Sequence, residues 1–107
     1  MDRKSSELIK RILKSEIFVW WSPDFGLLND LIADRNRTFD EDLLQQLLDN
    51  QTENIRKAFV NRYLRYQQTS EKFLIKYFRY VENPKFICDM QNVSYESLVE
   101  LQFKGLI

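Results

Sequence analysis

Residues 52–86 read TENIRKAFVNRYLRYQQTSEKFLIKYFRYVENPKF, and this stretch decides the fold. Apolar and aromatic side chains recur in it every three or four residues: Ile55, Phe59, Tyr63 and Tyr66, then Phe73, Leu74, Tyr77, Phe78 and Val81. That spacing places each set on one face of an α-helix. It predicts one helix from Thr52 to Tyr66, and a second that is capped by Thr69 or Ser70 and ends at Asn83-Pro84.

The chain before this stretch opens with a predicted helix that starts near Asp2 or Ser5, either of which is a good N-terminal cap. Apolar residues keep helical spacing from Leu8 as far as Trp21. Residues 17–21 are β-branched and aromatic, so a buried strand is the alternative for them. The unbroken register from Leu8 favours the helix.

Two short helices are predicted to follow. Ser22 caps the first of them, Pro23 takes its first position, and its apolar stripe ends near Asp34. Thr38 and Glu41 have the spacing of a capping box. This spacing predicts that Thr38 caps the next helix and that the Glu41 side chain reaches back to the Thr38 amide.

Beyond the central stretch, residues 86–88 are long enough for one helical turn, and Ser94 is a cap for a last helix that stops before Gly105. The 107 residues include only two glycines and two prolines, which is few for a turn-rich β protein. Joined by short links, these elements predict one all-α domain over residues 1–107, a compact bundle of five to six short helices.

Residue types that catalyse reactions or bind metals are scarce. The chain has no histidine, a single cysteine at Cys88, and two glycines. These counts remove the commonest general base, imidazole and multi-cysteine metal sites, and a glycine-rich phosphate loop. The acidic run Asp40-Glu41-Asp42 fits the first turn of a helix, where the helix dipole favours carboxylates. We therefore expect a non-enzymatic protein with no metal, no cofactor and no small-molecule substrate.

The sequence shows neither a secretion signal nor a membrane segment. No charged region followed by an apolar region and a small-residue cleavage site opens the chain. The longest apolar run is residues 17–21, far short of the roughly 20 residues that span a bilayer. A single cysteine cannot form an internal disulfide. We expect a soluble, cytoplasmic protein that does not bind a membrane.

Charge is balanced in total but unevenly distributed. Sixteen basic and sixteen acidic residues give a formal net charge of zero, which argues against purely electrostatic attraction to a polyanion. Residues 20–53, however, carry eight acids and two bases, and residues 54–88 carry eight bases and two acids. Such opposed halves complement each other across a self-interface, or complement a charged protein partner.

The basic half is also rich in aromatic residues, a mixture typical of protein interfaces. Burying Phe73, Tyr77 and Phe78 on one face of a regular helix turns its basic residues and Tyr80 toward solvent. We predict a partner-binding surface made of six residues: Arg62, Arg65, Lys72, Lys76, Arg79 and Tyr80. The plainer interpretation is a core of aromatics with a solvated basic rim. Stacking on single-stranded nucleic acid is a further alternative.

A helix-turn-helix is the main alternative for function. Residues 40–66 give a helix, a three-residue turn and a second, basic helix. A recognition helix presents its first residues to base edges, and four residues here suit that role: Gln51, Asn54, Arg56 and Lys57. The acidic start of the leading helix weakens this interpretation, because it would repel phosphate. An ordinary helical hairpin would have the same pattern.

Adjacent tryptophans at Trp20-Trp21 point about 100° apart on a helix, so both are buried only in a thick core. An exposed tryptophan would be a natural hot spot for a partner, which makes this pair a second candidate interface. Taken together, the sequence predicts a protein-interaction or regulatory module that binds another protein or forms a homodimer, with nucleic-acid binding through residues 40–66 as the alternative.

Overall fold

The computed structural model describes residues 3–14 and 23–107, and within them the chain forms seven α-helices and no β-strand. This confirms the all-α prediction, with more helices than the five to six expected. The helices are α1 (Arg3–Lys14), α2 (Pro23–Ile32), α3 (Glu41–Asp49), α4 (Glu53–Tyr66), α5 (Glu71–Tyr77), α6 (Pro84–Gln91) and α7 (Tyr95–Phe103).

One added helix comes from the residues around Asn83-Pro84. The Asn83 side chain accepts a hydrogen bond from the Phe86 amide, and Pro84 occupies the first turn of α6. The pair therefore starts a helix, as proline at a first helical position does. Residues 86–88, predicted as a single turn, are the middle of this helix, which ends where Asn92 adopts a left-handed conformation at φ 51°.

The predicted caps Ser70 and Ser94 are confirmed, Ser5 lies inside α1 instead of capping it, and the predicted cap Thr38 is wrong. The side chains of Thr52, Ser70 and Ser94 each accept a hydrogen bond from the amide three residues on, at the starts of α4, α5 and α7. At α3, however, the cap is Asp40, whose carboxylate accepts from two amides of the first turn. Glu41 instead accepts from the Ser70 amide at 2.8 Å and from the Ser70 hydroxyl, which ties α3 to the start of α5.

The end of α5 places Tyr80 inside the protein, against prediction. The α-helix stops at Tyr77, and residues Phe78–Tyr80 form one turn of 3₁₀-helix. Residues three apart eclipse each other in a 3₁₀-helix, so Tyr80 points in the same direction as the buried Tyr77. The two rings lie 6.4 Å apart, and Tyr80 is only 7% exposed. A regular α-helix would have turned it outward, as the sequence predicted.

The core is a chain of aromatic rings centred on α4. Phe59 and Tyr63 stack 6.1 Å apart on its buried face, and neighbouring rings extend the chain toward α2 and α5. Ring centroids within about 7 Å add specific edge and stacking contacts to the burial of area. Phe25 lies at one end of the chain, and Phe73 continues it to Tyr77 at a 4.8 Å centroid distance.

Two buried glutamines link helix ends that would otherwise leave carbonyls without donors. Gln67 Nε2 donates to the carbonyl of Ile32, at the end of α2. Gln91 Nε2 donates to the carbonyls of Leu64 and Gln67, and its Oε1 accepts from the Thr69 amide and hydroxyl. Because the last four carbonyls of a helix lack intrahelical partners, these amides satisfy groups that burial would leave unpaired.

Helix α1 packs against α2 and α3 through a face that buries Leu8, Ile9 and Ile12. The predicted continuation of this helix to Trp21, the strand alternative for residues 17–21, and the Ser22 cap lie outside the described residues. In residues 3–14 and 23–107, no helix is long and apolar enough to cross a membrane.

Candidate interaction surface

Arg62, one of the six predicted partner-binding residues, is directed into the protein. Its Nε and Nη2 donate to the Asn29 carbonyl at 3.3 and 3.0 Å, and its guanidinium lies 5.3 Å from the Tyr66 ring centre. Asn29 is in the last turn of α2, whose carbonyls need external donors. Positive charge is also favoured at the C-terminal end of a helix. Arg62 thus joins α4 to α2.

Arg56, predicted to read bases in the alternative function, has a structural role of the same kind. Its guanidinium and Nε donate to the carbonyls of Leu48 (2.9 Å), Asp49 (3.4 Å) and Gln51 (3.1 Å), at and just beyond the end of α3. Its Nη1 donates to the Tyr80 hydroxyl at 2.8 Å. That hydrogen bond is the main reason why the pKa of Arg56 is raised. A guanidinium held this way is not presented to a base edge.

Of the other three residues predicted to contact bases, one also binds a carbonyl of α3 and two are exposed. Gln51 Nε2 donates to the Leu47 carbonyl at 3.1 Å, so it too caps α3. Asn54 and Lys57 are exposed on the first two turns of α4. The Lys57 ammonium lies 3.5 Å from the Glu82 carboxylate.

Tyr80 is the buried acceptor of two arginines. Its hydroxyl accepts from Arg56 at 2.8 Å and from Arg79 at 2.7 Å, and the Arg79 guanidinium lies 4.8 Å from the ring centre. Burial acts to raise the pKa of the Tyr80 phenol, but the two guanidinium hydrogen bonds and charges together lower it below its ordinary value. Tyr80 is therefore part of a packed cluster and offers little surface to a partner.

The predicted six-residue surface is thus divided among different parts of the fold. Arg65 lies against α6, with its guanidinium 5.6 Å from the Phe86 ring centre. Arg62 is bound to α2, and Tyr80 is in the core. Only the three basic residues of the α5 segment remain together on an exposed face.

These three residues, Lys72, Lys76 and Arg79, are called here the α5 basic edge. They follow one another at spacings of four and three residues, which places them on one side of the helix and its 3₁₀ extension. Lys76 Nζ donates to Gln45 at 2.8 Å and lies 3.6 Å from the Asp49 carboxylate. This exposed pair contributes little to stability, and all three basic side chains of the edge are exposed.

The least expected feature is on α7. Tyr95, Val99 and Phe103 are 77%, 45% and 92% exposed, and they follow one another every four residues along one side of the helix. We call them the α7 stripe. The opposite side of α7 packs on the core through Ser97 and Leu101. Two large, highly exposed aromatic side chains about two helical turns apart are unusual for a surface without a partner.

A groove separates α5 from α7, and Lys72 and Lys76 of the α5 basic edge line it together with Glu100 and Lys104, which directly follow Val99 and Phe103 in the sequence. The groove has a volume of about 560 Å³ and is lined from both helices by Glu71, Lys72, Ile75, Lys76, Glu100 and Lys104. On its α7 side, the Lys104 ammonium lies 3.7 Å from the Glu100 carboxylate. An apolar strip with charged residues along its side resembles the apolar centre and polar rim of protein interfaces.

The sequence contained a signal for the α7 stripe that periodicity alone did not reveal. The apolar residues of the last helix include Leu98 and Leu101 as well as Val99 and Phe103. Those four residues do not share one face, since positions 99 and 103 lie opposite 97 and 101 on a helix with 3.6 residues per turn. A nine-residue helix that is apolar on two sides can bury only one of them in a small bundle.

The described residues give no metal or nucleophilic centre. Across ranges 3–14 and 23–107, no three histidine, cysteine or acidic side chains cluster to hold a metal ion. Cys88 is half-buried beside a groove of about 760 Å³ that also includes Val93, Leu98 and Ile107. Burial raises the pKa of its thiol, and the Asp89 charge adds to the effect, so the reactive thiolate is disfavoured.

Comparison of the chain with protein-family models, with curated proteins and with solved structures found no match.

Proposed function

We propose that this protein is a non-enzymatic protein-binding module and that the α7 stripe, flanked by the α5 basic edge, is its binding surface. The single observation that carries the proposal is the exposure of Tyr95 and Phe103 on the same side of α7. Aromatic residues of this kind provide most of the affinity in protein interfaces, because they bury a large area and lose little side-chain entropy.

The contacts of the basic residues favour a protein partner over nucleic acid. Arg56 and Arg62 donate to backbone carbonyls at the ends of α3 and α2, so their guanidinium groups are engaged within the fold. The α7 stripe itself is flanked by Glu96 and Glu100, which would repel phosphates. We expect no tight binding of a duplex or a single strand at physiological salt, measured by fluorescence anisotropy. Nanomolar binding would favour the helix-turn-helix alternative.

Site-specific photocrosslinking tests the surface directly. A benzophenone amino acid is placed at position 99 in the centre of the stripe, and at position 30 on the exposed side of α2 as a control. We expect discrete protein adducts in the source cells from position 99 and few from position 30. Adding Phe103→Ser should remove the adducts, whereas the matched control Gln102→Ser, at an exposed polar neighbour, should keep them. Equal adducts from positions 99 and 30 would contradict the proposal.

A further inference from the structure

We propose that the partner of the α7 stripe is the α7 stripe of a second copy of this chain, packed antiparallel about a two-fold axis at Val99. This inference rests on the proposed function and names its partner. It applies to the three exposed residues of the stripe.

The first argument is the order of side-chain sizes. The stripe reads large, small, large along the helix, with Val99 midway between Tyr95 and Phe103. A two-fold interface uses the same patch on both chains, so the patch must be complementary to itself. Antiparallel pairing about Val99 sets Tyr95 of each chain against Phe103 of the other and lets the two valines meet at the axis. Small residues in the centre allow close helix approach, and an aromatic pair closes each end.

The second argument is charge. In the antiparallel register, Lys104 lies five residues from Val99 and Glu96 lies three residues from it on the other side. Lys104 of one chain and Glu96 of the other therefore lie at positions along the helix axis that differ by only about 3 Å. Glu100 meets its own copy, but each is paired with Lys104 of its chain at 3.7 Å. Parallel pairing would instead set every charge opposite its own copy, and like charges in register oppose association.

The third argument is area. Each large aromatic side chain buries about 150–250 Å² when covered. With Tyr95 and Phe103 exposed to 77% and 92%, the two aromatics alone offer roughly 250–420 Å² per chain. A stable interface of standard size buries about 800 Å² per partner, so the aromatics at the two ends supply less than that and the interface is a small one. This small interface should give a reversible dimer with a dissociation constant in the micromolar range.

Sedimentation velocity from about 1 to 500 μM tests the dimer. We expect the mass to rise with concentration from the 13.0 kDa of one chain toward twice that value. Phe103→Ser should weaken the dimer by about tenfold or more, because it removes an aromatic residue from both ends of the interface. Gln102→Ser should not weaken it. Circular dichroism should show all variants equally folded, since both positions are exposed.

Cysteine crosslinking tests the register, in a Cys88→Ser background. Helix axes 8–10 Å apart with Cα atoms about 2.3 Å from each axis bring the two Cα atoms of position 99 within disulfide range. Val99→Cys should therefore form a symmetric disulfide. Positions 95 of the two chains lie about 12 Å apart along the axis, so Tyr95→Cys alone should not crosslink. A mixture of Tyr95→Cys and Phe103→Cys chains should give the mixed disulfide.

The outcomes separate the two proposals. A dimer that survives Phe103→Ser, or that crosslinks position 95 to position 95, overturns the antiparallel stripe. A monomer at 500 μM that still yields adducts with a different protein from position 99 overturns self-pairing and leaves the protein-binding function intact. A monomer without any adduct that depends on the stripe overturns both.

Discussion

Replacing Arg56 by alanine should destabilise the fold more than any other single change to a basic residue of α4. The guanidinium connects the end of α3, the turn after it and the buried Tyr80 hydroxyl through four hydrogen bonds. Because alanine has a high helix propensity, the loss of stability reflects the missing contacts of the arginine side chain. The change leaves the carbonyls of Leu48 and Gln51 and the Tyr80 hydroxyl without this donor.

The expected loss of unfolding free energy follows from the type of hydrogen bond and its exposure to water. A hydrogen bond to a charged group contributes about 1.5–3 kcal/mol net, and the lower end applies where water can replace the donor. Three of the four bonds are partly buried, and the fourth, at 3.4 Å, is long and exposed. Because the bonds share one side chain, their energies do not add in full. We expect a loss of about 2–3 kcal/mol, or a fall in Tm of roughly 10 °C or more.

Urea denaturation followed by far-UV circular dichroism measures this loss. The matched control is Lys57→Ala at the next position, where the exposed ion pair with Glu82 predicts a change of less than about 1 kcal/mol. Arg56→Lys keeps the charge but cannot span the same acceptors, so it should recover less than half of the loss. If Arg56→Ala costs no more than Lys57→Ala, the capping role is wrong, and Arg56 returns as a candidate for binding a partner.

Two further predictions concern buried polar groups. Gln91→Ala removes the amide that donates to the carbonyls at the end of α4, so the free energy of unfolding should fall by about 2–3 kcal/mol. The control Gln68→Ala, at an exposed position, should lower it by less than about 1 kcal/mol. Equal losses for the two variants in urea titrations would contradict the role of Gln91. Burial raises the pKa of Tyr63 and of Tyr77, so the folded state keeps protons that the unfolded state releases above about pH 10. Their contribution to stability is complete below that pH and is lost as the pH rises past it, while the lowered pKa of Tyr80 acts in the opposite direction. Tyr63→Phe should therefore flatten the fall of the urea midpoint between pH 9 and 11, and an unchanged slope would contradict the assignment.

Local signals predicted much of the fold, because caps and periodicity depend on neighbouring residues. Thr52 and Tyr66 bracket α4 as expected, and Ser70 and Ser94 begin α5 and α7. Gly105 has the positive φ of 73° that its place after a helix C-terminus suggested. These signals act within one helical turn, so the sequence alone is sufficient to place them.

The sequence predictions were wrong where a contact with a distant residue selects between two structures that are both possible locally. Thr38 and Asp40 are both good caps, and the contact of Glu41 with Ser70, twenty-nine residues away, uses the side chain that a capping box at Thr38 would need. The helical pattern also continues smoothly past Tyr77. The change to a 3₁₀ turn there brings Tyr80 to two arginines, one of them twenty-four residues away in the sequence. No periodicity within α5 contains that information.

The same reasoning explains why positive charge in the sequence is by itself a weak indicator of a binding surface. A bundle of short helices has many C-terminal ends, and each leaves four carbonyls and a negative partial charge to be satisfied. Helix α4 runs past the ends of α2 and α3, and Arg56 and Arg62 in it, with Gln67 directly after it, donate to them. Two of the eight basic residues in 54–88, Arg56 and Arg62, are therefore used within the fold, while the other six are exposed. Exposed apolar area has no such internal use, because water penalises it wherever it is left uncovered. The α7 stripe is for this reason a stronger indication of a partner than the basic residues are.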